Sequence, residues 1–141
     1  MSAGRSVLVV DDDAAMREMV VSLLDDQGIH ARAASSADDA IERLSEFDCD
    51  VVLSDIRMPG RTGIELLGQI RELRPHTPVV LMTAFGSIDS AVEAMHAGAF
   101  DYVTKPFQRD ALLLTLERAF ERRALEEENR RLRRAVDQTA S

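Results

Sequence analysis

Runs of apolar residues alternate five times with segments of helical periodicity. Ser6–Val10 is a β-branched run that ends in Asp11-Asp12-Asp13. Met16, Met19, Val20, Leu23 and Leu24 then recur at helical spacing until Gly28 stops the helix. Ile29–Ala33 reads as a second strand. Ser36 with Asp39 three residues on is an N-cap signal for a helix bearing Ala40, Ile41 and Leu44. Val51–Ser54 is a third strand running into Asp55, and Pro59-Gly60 and Gly63 break the chain before Ile64, Leu66, Leu67, Ile70 and Leu73. Pro78 opens a fourth strand, Val79–Met82, that ends at Thr83. A helix from about Ser87 to Ala97 is closed by Gly98. A short fifth strand, Tyr102-Val103, leads to Thr104-Lys105-Pro106, and a last helix begins near Arg109. Continuous apolar strands separated by helices predict an α/β fold with a parallel sheet covered on both faces.

In such sheets functional groups gather beyond the carboxyl ends of the strands. Those ends carry Asp11 and Asp12 (first strand), Asp55 (third), Thr83 (fourth) and Lys105 (fifth). Adjacent strands lie roughly 4.8 Å apart, so carboxylates at neighbouring tips can share a site. Two such charges about 4 Å apart repel by roughly 4 kcal/mol at an effective dielectric of about 20. The cluster therefore calls for a cation. All its donors are oxygens, and His30, His76 and His96 are scattered away from the strand tips, which suits Mg²⁺ or Mn²⁺ rather than Zn²⁺. Asp13 is either part of this cluster or the cap of the first helix.

Net charge sharpens the picture. The chain totals −8; residues 1–108 hold 9 basic and 18 acidic side chains, giving −9, and residues 109–141 hold 8 and 7, giving +1. An acidic body is a poor partner for DNA or an anionic membrane. Of the 17 basic residues only Lys105 is a lysine, which points to a use for a compact ammonium. Three carboxylates balanced by Lys105 and one divalent cation leave a near-neutral site, able to share the charge of an arriving phosphoryl group.

The 141 residues suffice for one domain with its own core, and no apolar run approaches the roughly 18 residues a membrane helix needs. Met1 to Ser6 lack a signal-peptide stretch, which predicts a cytoplasmic protein. Cys49, the single cysteine, excludes an internal disulfide and reads as packing at a strand entrance.

Together, Val9-Val10-Asp11-Asp12-Asp13, Ser54-Asp55-Ile56-Arg57-Met58-Pro59-Gly60, Met82-Thr83-Ala84 and Lys105-Pro106-Phe107 resemble receiver domains of two-component response regulators over about residues 5–122. The resemblance implies a flavodoxin-like, doubly wound fold of five parallel strands in order 2-1-3-4-5. It also implies that Asp55 accepts a phosphoryl group from a sensor histidine kinase. Asp12, Asp55 and the carbonyl of Arg57 would hold Mg²⁺ directly, and Asp11 mostly through water. Lys105 would hold a phosphoryl oxygen, with a cis Lys105-Pro106 bond. Thr83 would bond the phosphoryl group, and Tyr102 would turn inward when Thr83 moves.

Residues 109–136 contain no Gly or Pro, a stretch of 28 residues or about 42 Å if helical. Leu112, Leu113, Leu116, Ala119 and Phe120 can pack on the sheet. Leu125, Asn129, Leu132 and Val136 then form a coiled-coil seam with one Asn able to fix register. The expected division is a receiver over 1–122 and a helical linker over 123–141, dimerising through the last helix and linker. Glu126–Arg134, with Ile56–Gly60 and Phe85-Gly86, also resembles the linker-bearing receivers of σ54-dependent activators of the nitrogen-regulator type. That resemblance implies output ATPase and DNA-binding domains in a longer protein. Arg130-Arg131 and Arg133-Arg134 read as a solvated face balanced by Glu126–Glu128, with a DNA-binding helix as the minor reading. Two rival functions remain at this level: a phosphohydrolase with an aspartate nucleophile, and a scaffold that dimerises without phosphorylation.

Overall fold

In the computed structural model, which describes residues 5–84 and 87–140, the five strands and five helices alternate strictly. They are β1 (Ser6–Val10), α1 (Ala14–Asp26), β2 (His30–Ala34), α2 (Ala37–Glu46), β3 (Val51–Asp55), α3 (Gly63–Leu73), β4 (Val79–Ala84), α4 (Ile88–His96), β5 (Asp101–Lys105) and α5 (Arg109–Ala140). All strand pairs are parallel, in the order β2-β1-β3-β4-β5 that the receiver resemblance implies. Phe85 and Gly86, part of the subfamily resemblance, lie outside the described residues.

The strands alternate their side chains between two cores, as a period of two requires. Leu8, Val10, Val52, Val79 and Leu81 face α2, α3 and α4, meeting Leu44, Leu66, Leu67, Ile70 and Ala94. Val7, Val9, Leu53, Val80 and Met82 face α1 and α5, meeting Val20, Leu24, Leu112, Leu116 and Phe120. Both faces of the central strands are buried, which is why they read as unbroken apolar runs.

Local chemistry explains the element ends. Asp13 caps α1, its side chain accepting from the Ala15 and Met16 amides. Ser36 caps α2 by accepting from Asp39, as the spacing predicts. Thr62 and Glu65 form a capping box on α3. Strand boundaries moved by a residue or two: β2 is shifted one residue onward, β4 runs on to Ala84, and β5 extends to Asp101 and Lys105. Cys49 is buried at the entrance to β3, and burial pushes its thiol up to about 12, so it serves packing rather than reactivity.

Candidate functional site

β1 and β3 are neighbours, and β4 separates β3 from β5. Their common C-terminal edge brings Asp11, Asp12, Asp55, Thr83 and Lys105 to one end of the sheet. Asp11 follows directly on β1 and is fully buried, whereas Asp12 is exposed. Asp55 ends β3 and is largely shielded from solvent. One carboxylate oxygen from each of Asp11, Asp12 and Asp55 lies within 4.8 Å of the others.

Lys105 reaches into this cluster from β5. Its Nζ donates to Asp11 Oδ2 at 3.0 Å and to Asp55 Oδ2 at 3.0 Å. The second oxygens are held by the backbone: Asp11 Oδ1 accepts from the Asp13 amide at 2.9 Å and Asp55 Oδ1 from the Arg57 amide at 3.2 Å. A buried carboxylate is costly without such partners. The balance is still too negative, with three carboxylates against one ammonium. Burial, aided by the charge of Asp11, pushes the Asp55 carboxyl above its ordinary range despite the opposing bond from Lys105. Burial would lower Lys105, but its bonds to Asp11 and Asp55 outweigh this and raise it. The two partners thus hold Lys105 in its charged form.

The donor set fits a hard divalent cation. It consists of carboxylate oxygens without nitrogen or sulfur, and Arg57, whose carbonyl was expected to join them, follows two residues after Asp55. Thr83 is buried near the end of β4, its hydroxyl 3.5 Å from the Val103 carbonyl. Strand register pairs Thr83 with Thr104 and Leu81 with Tyr102, so these four residues share the face covered by α4. Tyr102 is partly exposed there. An open cleft of about 420 Å³ begins at Asp55, Thr83 and Lys105 and is walled by Met16, Ala84 and Ser90. The Lys105-Pro106 bond is cis.

Several supporting residues carried no sequence signal. Arg17 donates to the Asp11 carbonyl at 2.7 Å, tying α1 to the acidic loop. Ser54, fully buried, donates to the Asp55 carbonyl at 3.0 Å. In the sequence Gly63 is only a break in the chain before the helix, but its amide donates to the Ile56 carbonyl at 2.8 Å, and a Cβ there would stand 2.3 Å from the Asp55 carbonyl oxygen. The first residue of α3 must be small because it packs directly behind the β3 tip.

Known proteins share this fold. The chain is 42% identical over 137 residues to the C4-dicarboxylate transport transcriptional regulatory protein DctD of Rhizobium meliloti (strain 1021), covering 97% of this chain and 30% of that protein. It is 42% identical over 113 residues to the DNA-binding transcriptional regulator NtrC of Escherichia coli (strain K12), covering 80% of this chain and 24% of that one. Among solved structures, NtrX from Brucella abortus in complex with ADP superposes with a TM-score of 0.87 at 37% identity, over 92% of this chain and 30% of NtrX. A receiver domain protein from Clostridium thermocellum superposes with a TM-score of 0.81 at 32% identity, over 86% of this chain and 98% of that one. The chain therefore spans under a third of the length of these transcriptional regulators, and their receiver portion is what it matches. No described helix is long and apolar enough to cross a membrane. Residues 7–117 match the family described as the response regulator receiver domain, and the chain belongs to that family.

Proposed function

We propose that the chain is a Mg²⁺-dependent phosphorylation switch in which Asp55 accepts a phosphoryl group from a sensor histidine kinase. The observation that carries this reading is the Lys105 ammonium, 3.0 Å from Asp55 and 3.0 Å from Asp11, inside a cluster of three carboxylates. An Asp55 carboxylate oxygen attacks phosphorus, the P–O bond forms as the P–N bond to the kinase imidazole breaks, and the electron pair leaves with that nitrogen. Lys105 holds one phosphoryl oxygen, and the Thr83 hydroxyl gives up its long contact with Val103 to donate to another. Asp12, Asp55 and the Arg57 carbonyl would hold the Mg²⁺ (or Mn²⁺) ion, with Asp11 supporting it less directly. The bound ion supplies charge neutralisation for the transferring group. Ala84 leaves room for the phosphoryl group. Tyr102, on the same face as Thr83, follows its movement inward.

The chain acts as a signalling domain rather than a turnover enzyme, assisting only its own phosphorylation and dephosphorylation. Its place is the cytoplasm. The likeness to NtrC and NtrX supports a receiver of the nitrogen-regulator type, feeding ATPase and DNA-binding output domains in a longer protein. Residues 1–122 are the receiver and 123–141 the linker. Leu125, Leu132 and Val136 are exposed along the linker and suit pairing with a second copy. Asn129 sits at an a-type position between them, which favours parallel, in-register helices. In that register Glu128 at g faces Arg133 of the partner subunit at e.

Incubation with Mg²⁺ and a small acyl phosphate, followed by intact mass measurement, tests the switch. A single phosphate adduct on wild type and none on Asp55→Asn is expected. Turnover of varied phosphate esters would instead make the chain a phosphohydrolase. No adduct from either a small donor or a cognate kinase would make it a scaffold.

A further inference from the structure

The last helix keeps its apolar hold on the body only as far as Phe120; five residues on, Leu125 is already 67% exposed. Between them lies Arg123, a charged residue only 9% exposed. Its guanidinium reaches three places on the body. Nη1 donates to Thr77 Oγ1 at 2.7 Å and to the Cys49 carbonyl at 3.4 Å, and Nη2 lies 3.3 Å from Asp48 Oδ2. Nη2 also lies 3.1 Å from Glu127, one turn further along the helix. Glu126 makes a second attachment, 3.2 Å from His76 Nδ1. Asp48 and Cys49 precede β3, and His76 and Thr77 precede β4, so both attachments are at the end of the sheet opposite Asp55.

We infer that Arg123, seconded by Glu126, is a latch that fixes the direction in which the linker helix leaves the receiver body. Past Glu127 the helix is a polar, solvated segment, and an isolated helix of fewer than about 12–15 residues is marginal in water. Continuity with α5 alone leaves it free to bend or fray. The polar contacts within one turn, 123–127, are what make it a rigid extension. The latch is also incompletely satisfied, because Arg123 Nε is buried with no hydrogen-bond partner. Arg123 thus acts as a positioning residue for the linker and for whatever the linker carries. The inference goes beyond the phosphoryl chemistry and stands without it.

Amide residual dipolar couplings and order parameters of the whole 141-residue chain test the latch. In wild type, residues 124–130 are expected to fit the alignment tensor of the sheet, with order parameters near about 0.85. Arg123→Met keeps the buried stem but removes the guanidinium. The sheet couplings should stay unchanged while those of 124–130 depart from the common tensor and their order parameters fall below about 0.6. Unchanged couplings in Arg123→Met, or wild-type couplings that already fall outside the sheet tensor, overturn the inference. Should Arg123→Met fail to fold, Thr77→Val combined with Asp48→Ala removes both side-chain acceptors on the body while the arginine stays. The same departure is expected there, and its absence overturns the latch equally.

Discussion

Lys105 Nζ lies 3.0 Å from Asp55 Oδ2 although β4 stands between the strands that carry them. The long, unbranched lysine crosses the tip of β4, where the small Ala84 faces Lys105 in register. It arrives as a point charge between two carboxylates, and a planar guanidinium on a different stem cannot reproduce that geometry.

Lys105→Ala is therefore expected to fold but to label Asp55 from an acyl phosphate about 10²-fold more slowly, the usual scale for losing one donor to a developing charge. Lys105→Arg should recover little of that loss. Time courses of intact mass check both variants. A Lys105→Arg variant as fast as wild type would show that any cation suffices.

Gly63 and Gly68 separate crowding from flexibility on one helix. A Cβ at Gly63 would meet the Asp55 carbonyl oxygen at 2.3 Å and Ile56 Cα at 2.8 Å, whereas at Gly68 nothing lies within 4 Å. Gly63→Ala should lose about 1–3 kcal/mol and shift the Asp55 backbone resonances. Gly68→Ala should gain about 0.5–1 kcal/mol through helix propensity. Urea unfolding of both variants reads the two signs. A stable Gly63→Ala with unmoved Asp55 resonances would mean that the β3–α3 junction has slack.

Much of this was legible in the chain. Buried parallel strands must be apolar throughout, so Val51–Ser54 and Val79–Met82 announced themselves, and the polar residues ending each run named the site edge. β5 is longer than its apolar pair suggests, because Asp101, Thr104 and Lys105 look like loop residues; they belong to an edge strand whose pairing with β4 the sequence does not display. Arg123 was hidden for a different reason. Among Arg118, Arg122, Arg130 and Arg131 it looks like one more solvated arginine, and only tertiary packing against Asp48, Cys49 and Thr77 distinguishes it. Arg17 and Ser54 were invisible likewise, since their acceptors are backbone carbonyls.

The linker seam makes a separate prediction about assembly. Leu125 and Leu132 expose apolar surface on one stripe, and that stripe is unoccupied by the receiver body. Leu125→Glu with Leu132→Glu should bring the molar mass in light scattering down to one chain without altering the receiver's thermal midpoint. Truncation after Glu127 should do the same while leaving the Arg123 contacts whole. A mass unchanged by either would move the interface away from the seam.

The excess negative charge at the site also predicts a trade between stability and function. Asp11, Asp12 and Asp55 face a single ammonium, and burial with the charge of Asp11 already raises the Asp55 carboxyl. The fold disfavours a charge on Asp55, so removing that charge should relieve the native state more than the unfolded chain. Asp55→Asn keeps the shape and an oxygen for the Arg57 amide, and leaves Lys105 its bond to Asp11. In metal-free buffer it should be more stable than wild type by about 1 kcal/mol, the relief expected when a functional site gives up a strained charge. The sign follows from linkage. A carboxyl raised by folding favours the protonated form, so the penalty is absent below its ordinary value of 3.8 and grows as pH rises through the folded value. The advantage of Asp55→Asn should therefore vanish at acid pH. Mg²⁺ should reverse it at neutral pH, since a ligand at about 100 times its dissociation constant adds about 2.7 kcal/mol to the state that binds it. Urea midpoints with and without Mg²⁺ at two pH values decide the matter. A wild type more stable than Asp55→Asn without metal would show that Lys105 alone neutralises the cluster.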